Sequence, residues 1–339
     1  MTTPDITEMM EPYLQHAIAG DGRAGVATAI ELLDRGVPSD SVIVDLLGGS
    51  QREVGERWLV NKLTVADEHF ASGITQKALD AVSNAIDVPS TDGNVIVACA
   101  EGDWHSLPAQ MFAELLHSRG FTVAFLGAST PVDHVAGMLR RRRPDALAVS
   151  CNLPLFFGGL TRLADAAHAE GIPVIAGGRA LGDGPDRAIH LGADAWAAGI
   201  ADAEPILRSW QHKAPAVAAL STMSDSAALF LGLSAASEIA ARAFEDLSAV
   251  YPAMASYSAR QLDRTREDLQ FITQFVAAAR LVDDPNVLTD FLRWLQVLLS
   301  SRGVPVAAIR QGLAVLAPHI ARIDDQSGQL AFAALETIH

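Results

Sequence analysis

Asp103 and His105 are the pair in this chain whose types and spacing could do chemistry. They lie in the stretch Glu101-Gly-Asp-Trp-His-Ser-Leu-Pro108. An acid two residues before a histidine suits a metal ligand with its orienting group: one ring nitrogen binds metal while the other donates to the carboxylate. The apolar run at 95–100 precedes the pair and reads as a buried strand; a helical pattern at 108–117 follows it. The pair therefore belongs on a loop at the carboxyl end of a strand. In open α/β sheets, ligands bind in that crevice. The bland alternative is a surface histidine at the first turn of a helix.

The elements that must hold this loop follow from the patterning. Turn-forming residues at 88–93 close a helical region. Beyond them strands at 95–100, 123–126, 147–151, 174–176 and 195–198 alternate with helical patterns at 111–116, 132–139, 160–169 and 186–190. That alternation predicts a doubly wound parallel sheet. Ser150 ends the third strand and Gly177-Gly178 end the fourth, so both fall on the same sheet edge as His105. A Gly-x-Gly-x-x-Gly run is missing after the first strand, which argues against a dinucleotide site. The region before residue 87 reads as four amphipathic helices. Pro4 and Asp5 open the first, Ser39 caps the third, and Thr64 with Asp67 starts the fourth in the manner of a capping box. Short connections suggest an antiparallel bundle. After a linker at 211–221 the chain reads as wholly helical from Ser224 onward, in five or six helices that suit a globin-like fold or a second bundle. The predicted class is α/β plus α, with domains at 1–87, 93–210 and 222–339.

Composition excludes several classes. Of 339 residues half are hydrophobic and 19% charged, as in ordinary globular proteins. Apolar runs all fall short of a membrane span, and the start lacks a signal-peptide pattern. A formal net charge of −15 argues against a nucleic-acid surface. The basic run Arg140 to Arg143 reads as the end of a helix, where cations suit the dipole. The two cysteines, Cys99 and Cys151, fall at strand ends and read as core thiols of a cytoplasmic protein rather than a disulfide.

The loop resembles the Asp-x-His-x-x-Gly loop of cobalamin-binding domains, with Pro108 where that pattern has Gly. In that family the His becomes the lower axial ligand of cobalt, a Ser-x-Leu at the third strand bonds the nucleotide tail, and a Gly-Gly lets the backbone approach it. The resemblance therefore implies His105 as cobalt ligand, Asp103 as its partner, and Ser150, Gly177 and Gly178 along the tail; Asn152 stands where the family has Leu. The helical bundle resembles the cap of adenosylcobalamin-dependent photoreceptors, the light-responsive transcription repressors. Trp58 matches their Trp against the adenosyl group, and Glu68-His69 matches their Glu-His pair, with Glu68 on the ribose. Those repressors begin with a winged helix-turn-helix, whereas this chain starts in the cap, so direct DNA binding is not expected. Some also carry a His directly after the Trp, where this chain has Leu59.

Cap, cobalamin domain and helical domain in this order resemble the photocobilins, which add a bilin-holding globin-like domain. The resemblance implies a sensor rather than an enzyme: a homo-oligomer carrying adenosylcobalamin and, in the last domain, biliverdin. Phe271, Phe275, Phe291 and Trp294 could line a bilin slot, and Arg260, Arg264, Arg266 and Tyr257 could meet its propionates. That domain contains no cysteine, so the pigment would be held without a covalent bond. His319, directly after Pro318, gives no clear heme signature. Two alternatives stay open. The last domain could be a plain interaction bundle. The whole chain could be a corrinoid carrier that shuttles methyl groups, although carriers usually follow the His with Asp-Ile-Gly and this chain has Ser-Leu-Pro.

Overall fold

The computed structural model describes residues 6–90, 92–217, 228 and 231–338. The chain divides into two compact units, Met1–Asn152 with Gly159–Leu220, and Leu153–Gly158 with Ser221–His339.

The first unit opens with α1 (Ile6–Ile18), which buries Tyr13, Leu14 and Ala17 on one stripe, and α2 (Gly22–Asp34), capped by Asp21 through Ala24 N at 3.0 Å. Pro4 and Asp5, expected to open α1, lie outside the described residues. The expected third helix is not uniform. A turn at Ser39–Ser41 leads into a π-helical segment Val42–Gly48, then α3 (Gly49–Leu59). Over seven residues a hydrophobic stripe cannot separate a π turn from an α turn, so the pattern carried no sign of it. Next comes α4 (Val65–Ala85). Thr64 caps it, with Asp67 reaching back to Thr64 N at 2.7 Å as the spacing predicted. The bundle core of Tyr13, Leu32, Leu46, Leu47, Ile74 and Leu79 runs on to Met111 and Leu115 in the first helix of the sheet domain. Each fully buried leucine there contributes about 1.5–3 kcal/mol. Cap and sheet thus share one apolar core.

The sheet has five parallel strands in the order β2-β1-β3-β4-β5. They are β1 (Asn94–Cys99), β2 (Thr122–Phe125), β3 (Ala146–Ser150), β4 (Val174–Gly177) and β5 (Ala195–Trp196). In register, Cys99 of β1 lies beside Ser150 of β3, and Ser150 beside Gly177 of β4. The crossovers are α5 (Ser106–Ser118), α6 (Val132–Arg142), α7 (Phe157–Ala169) and α8 (Asp186–His190). α5 begins two residues before the expected Pro108. A proline in the first turn costs little, because its missing N–H would have had no partner there. α9 (Ile200–His212) is a helix that the strand–helix alternation above omitted; its stripe of Ala203, Ile206, Leu207 and Trp210 packs on Val95, Val97 and Cys99 together with α5. The basic run closes α6 as expected, with Arg140 and Arg143 both paired to Glu170.

The second unit is helical throughout its described length. A π turn at Leu231–Ala235 leads to α10 (Ala236–Val250), α11 (Ala259–Leu281), α12 (Asn286–Ser300), α13 (Val306–Ala321) and α14 (Asp325–Ala334). α11 packs on α10 and α12, and α13 on α10 and α14. Ser224 and Leu229, where helix was expected, lie outside the described residues. Among the described helices none is long and apolar enough to cross a membrane.

Candidate functional site

The strand order puts the direction reversal between β1 and β3, so their carboxyl ends flank the crevice where such sheets bind ligands. The β1 loop brings Asp103 and His105 there, and β3 brings Ser150 and Asn152. Asp103 is fully buried and fully used. Its Oδ1 accepts from His105 N at 2.9 Å and lies 2.7 Å from His105 Nδ1; its Oδ2 accepts from Asn152 N at 2.8 Å. A buried carboxylate with these partners fixes Nδ1 as the protonated nitrogen of His105 and leaves Nε2 as the lone-pair nitrogen. The His105 side chain is 55% exposed. The bond to Asp103 raises its pKa above the usual histidine value; burial opposes this, and the charges of Asp103 and Glu68 add to it. Glu68 belongs to the cap, so a cap residue lies within electrostatic reach of His105.

The loop itself is pinned. Glu101 Oε2 accepts from Arg162 Nη2 at 2.7 Å and Nε at 3.0 Å, and its Oε1 accepts from Val132 N at 3.2 Å. Gly102 N donates to Ser129 Oγ at 3.1 Å. Neither Arg162 nor Asn152 was named from the sequence as part of the site. Asn152 Nδ2 also donates to His105 O at 3.2 Å and Ser150 Oγ at 3.3 Å, so it ties both motif residues together. The signal was its place two residues after Ser150, where an apolar residue was expected. Cys99 reaches His105 O at 3.9 Å; burial, with the charge of Asp103, pushes its thiol up to about 12. It stays protonated at neutral pH and is not a nucleophile.

The glycine pair has a packing cause that needs no ligand. Gly178 sits at φ +106°, and a Cβ there would strike the Cys151 backbone; at Gly177 it would come 2.8 Å from Ala197 O. The pair lets β4 lie against the ends of β3 and β5.

In the cap, Glu68 lies in the first turn of α4, where a carboxylate is favoured by the helix dipole. It holds His69 Nδ1 at 2.7 Å through Oε2 and takes Ser72 Oγ at 2.9 Å through Oε1. Trp58 and Leu59 lie at the end of α3, both half-buried. A cavity of about 520 Å³ lies at the opposite end of the sheet, bordered by Asp34, Pro38, Ile86 and Arg119. It includes none of the motif residues.

The second unit departs from the expected slot. Phe275 and Phe291 stack on each other, ring centroids 3.7 Å apart and 4° from parallel, and both are buried. They fill space instead of lining it. Trp294 stacks at the edge of this pair, 6.0 Å from Phe291, and Phe271 is exposed. Two of the three expected arginines are engaged by neighbours: Arg264 pairs with Glu267, and Arg266 pairs with Asp263 and lies over Phe244. Tyr257 bonds to Tyr251. His319 has Asp246 at 2.7 Å on Nε2 and Arg322 at 3.5 Å on Nδ1, which leaves neither ring nitrogen open to an iron.

Comparison with known proteins bears on the first unit. A B12 binding domain family profile matches residues 93–208, and a second B12 binding domain profile matches residues 9–83. The HTH-type transcriptional repressor CarA of Myxococcus xanthus is 33% identical over 131 residues, which is 38% of this chain and 43% of that protein. The HTH-type transcriptional repressor CarH of the same organism is 30% identical over 145 residues, 42% of this chain and 46% of that one. The chain spans less than half the length of these curated relatives. The monomethylamine corrinoid protein of Methanosarcina barkeri shares the fold, with a TM-score of 0.53 and 18% identity over 60% of this chain and 99% of that one. The chain thus carries B12 binding domain matches over residues 9–83 and 93–208, and over part of its length it is similar to these two repressors.

Proposed function

We propose that this protein is a light sensor that binds adenosylcobalamin with His105 as the lower cobalt ligand. One observation carries the reading: His105 gives Nδ1 to a buried, fully bonded Asp103, keeps Nε2 as a lone pair, and has Glu68 of the cap within electrostatic reach. A single preorganised imidazole suits a metal whose other ligands come from a macrocycle. When bound, adenosylcobalamin would supply a cobalt–carbon bond that light cleaves. The chain's own residues would do the rest. Asp103 holds the tautomer of His105, Asn152 bonds both, and Ser150 with Gly177 and Gly178 would border the nucleotide tail. Trp58 would pack on the adenosyl group and Glu68 would accept from its ribose hydroxyls, with His69 steadying Glu68. Loss of the adenosyl group would leave Glu68 without those donors, and the cap would shift.

The domain division we propose is 1–87 for the cap, 93–210 for the corrinoid and 222–339 for a globin-like second-pigment domain. That domain would take biliverdin without a covalent bond. Exposed Phe271 and Trp294 and the basic Arg260 support it; the stacked Phe275 and Phe291 belong to the core and would not line the slot. Output would pass through a change in homo-oligomer contacts in the cytoplasm rather than through DNA, since a net charge of −15 repels phosphates. The corrinoid-carrier alternative shares the cap-and-sheet fold, but Ser-Leu-Pro after His105 departs from the carrier loop.

The test is an absorption spectrum of the purified protein loaded with adenosylcobalamin, dark and illuminated, beside His105→Ala. A light-induced spectral change with altered size in solution supports the sensor. Turnover with a methyl donor and no change in shape under light would replace it with the carrier. Biliverdin added in parallel should give a red band that survives gel filtration; free elution of the pigment would reduce the last domain to an interaction bundle.

A further inference from the structure

A line of polar side chains crosses the largely apolar interior of the cap. Tyr13 of α1 and Thr75 of α4 are both fully buried, and Tyr13 OH donates to Thr75 Oγ1 at 3.1 Å. Gln51 of α3 lies 2.8 Å from the same Thr75 oxygen through Nε2. Ser72 Oγ lies 2.9 Å from Gln51 Oε1 and 2.9 Å from Glu68 Oε1. The line thus runs from the middle of the bundle to the Glu68 carboxylate, and three helices contribute to it. Burying so many hydroxyl and amide groups is costly unless each is satisfied.

The donors and acceptors constrain the line further. Burial pushes the Tyr13 hydroxyl up to about 12, so it remains a donor at any working pH. Ser72 has one proton between two acceptors. Turning the Gln51 amide end for end removes that conflict: Thr75 then donates to the Gln51 carbonyl, the Gln51 amide donates to Ser72, and the Ser72 hydroxyl is committed to Glu68. Every donor then points along the line toward Glu68. Its other oxygen is held by His69. The carboxylate is therefore fixed in rotation by a bond on each oxygen, and only its remaining lone pairs are open to a ligand.

We propose that Ser72 and Gln51 are positioning residues that fix Glu68 for an upper ligand offering hydroxyl groups, and so set the preference for adenosylcobalamin over methylcobalamin. This rests on the reading of Glu68 as the ribose contact. Without Ser72, Glu68 keeps its charge but must be ordered at each binding event, and the adenosyl form loses its advantage. The methyl form makes no hydroxyl contact and is indifferent.

The experiment measures dark affinities of the full chain for adenosylcobalamin and methylcobalamin in five proteins: wild type, Ser72→Ala, Ser72→Thr, Gln51→Leu and Glu68→Gln. Ser72→Ala should reduce the ratio of the two affinities about tenfold, the order of one hydrogen bond to a charged group, with methylcobalamin affinity unchanged. Ser72→Thr keeps the hydroxyl on the helix and should restore the ratio, which a purely structural role for Ser72 would not require. Gln51→Leu is the second variant and should fall in the same direction. If Glu68→Gln lowers the ratio while Ser72→Ala and Gln51→Leu leave it unchanged, the positioning proposal is overturned and the ribose reading stands. If Glu68→Gln also leaves it unchanged, the ribose reading fails and takes this proposal with it.

Discussion

Asp103 takes bonds from its own loop and from the end of β3, 49 residues away. Glu68 is reached through Ser72 and Gln51, from its own helix and from α3. In the second unit the arginines expected to meet a ligand stay closer to home, although His319 does reach Asp246 on another helix. Arg264 pairs with Glu267 and Arg266 with Asp263, each three residues apart on one helix, while the aromatic rings of α11 and α12 stack on each other. The contrast is energetic. Exposed pairs at this spacing form with little ordering and contribute only a few tenths of a kcal/mol. Long-range polar contacts in a core must overcome desolvation and loop ordering, and a half-satisfied set is worse than none. The first unit carries that cost at the place where its motifs meet. The second unit shows a core closed by apolar contact.

The largest effect expected from this contrast is on stability in the second unit. Phe291→Ala removes half of the Phe275 stack and should cost about 3–5 kcal/mol in denaturant unfolding. Cobalamin retention should hold. A parallel loss of cobalamin would erase the distinction drawn between the two cores.

His105→Ala tests the first unit in the opposite sense. Folding should be little changed, because the side chain is half exposed, while cobalamin affinity falls by about a hundredfold and the absorption spectrum shifts. Asp103→Asn should weaken affinity by about tenfold through the tautomer of His105. Equilibrium dialysis and spectra measure both. An unchanged spectrum in His105→Ala would remove it as a ligand.

Asp268 sharpens the comparison through pH. Burial, with the charge of Glu267, pushes its carboxyl from 3.8 up to about 6 in the folded chain, against the opposing charge of Arg264. The folded state then keeps a proton that the unfolded state has lost. Stability therefore declines as pH rises through the window from 3.8 to about 6, and stays lower above it. Asp268→Asn should flatten that decline and add up to about 2–3 kcal/mol near neutral pH. A pH–stability curve identical in both proteins would show that this carboxyl is solvated after all.

The smallest effect concerns the first turn of α4. Thr64→Ala removes the cap that holds Asp67 in place and should cost about 1 kcal/mol in thermal unfolding. Adenosylcobalamin affinity should fall more than methylcobalamin affinity, since Glu68 sits in that turn. Equal losses for both would place the preference elsewhere in the cap.

Much of this was legible in the chain itself. Strand–helix alternation gave the sheet, because side chains buried on both faces leave continuous apolar runs. The helix start at Thr64 followed from residues that satisfy first-turn N–H groups locally. Asp103 and His105 could be named as a pair because an acid two residues before a histidine can orient it, whereas Glu68 was named only by resemblance. α9 was also open to reading from its stripe of Ala203, Ile206, Leu207 and Trp210.

Tertiary structure decided what local spacing cannot encode. The π-helical segment Val42–Gly48 is set by packing, since its apolar stripe fits either kind of turn. Asn152 joins the site only because β3 lies beside β1, which brings its amide to Asp103 and His105. Arg162 reaches Glu101 across 61 residues. The stacking of Phe275 on Phe291 turned a possible slot into core, because two rings at helical spacing line a pocket or fill it according to what the facing helix presents. The line from Tyr13 to Glu68 needed three helices in register before its first hydrogen bond could be seen. Sequence determines which groups can bond, because residue type sets donors, acceptors and charge. Only the fold determines which of them are brought within 3 Å and kept from water.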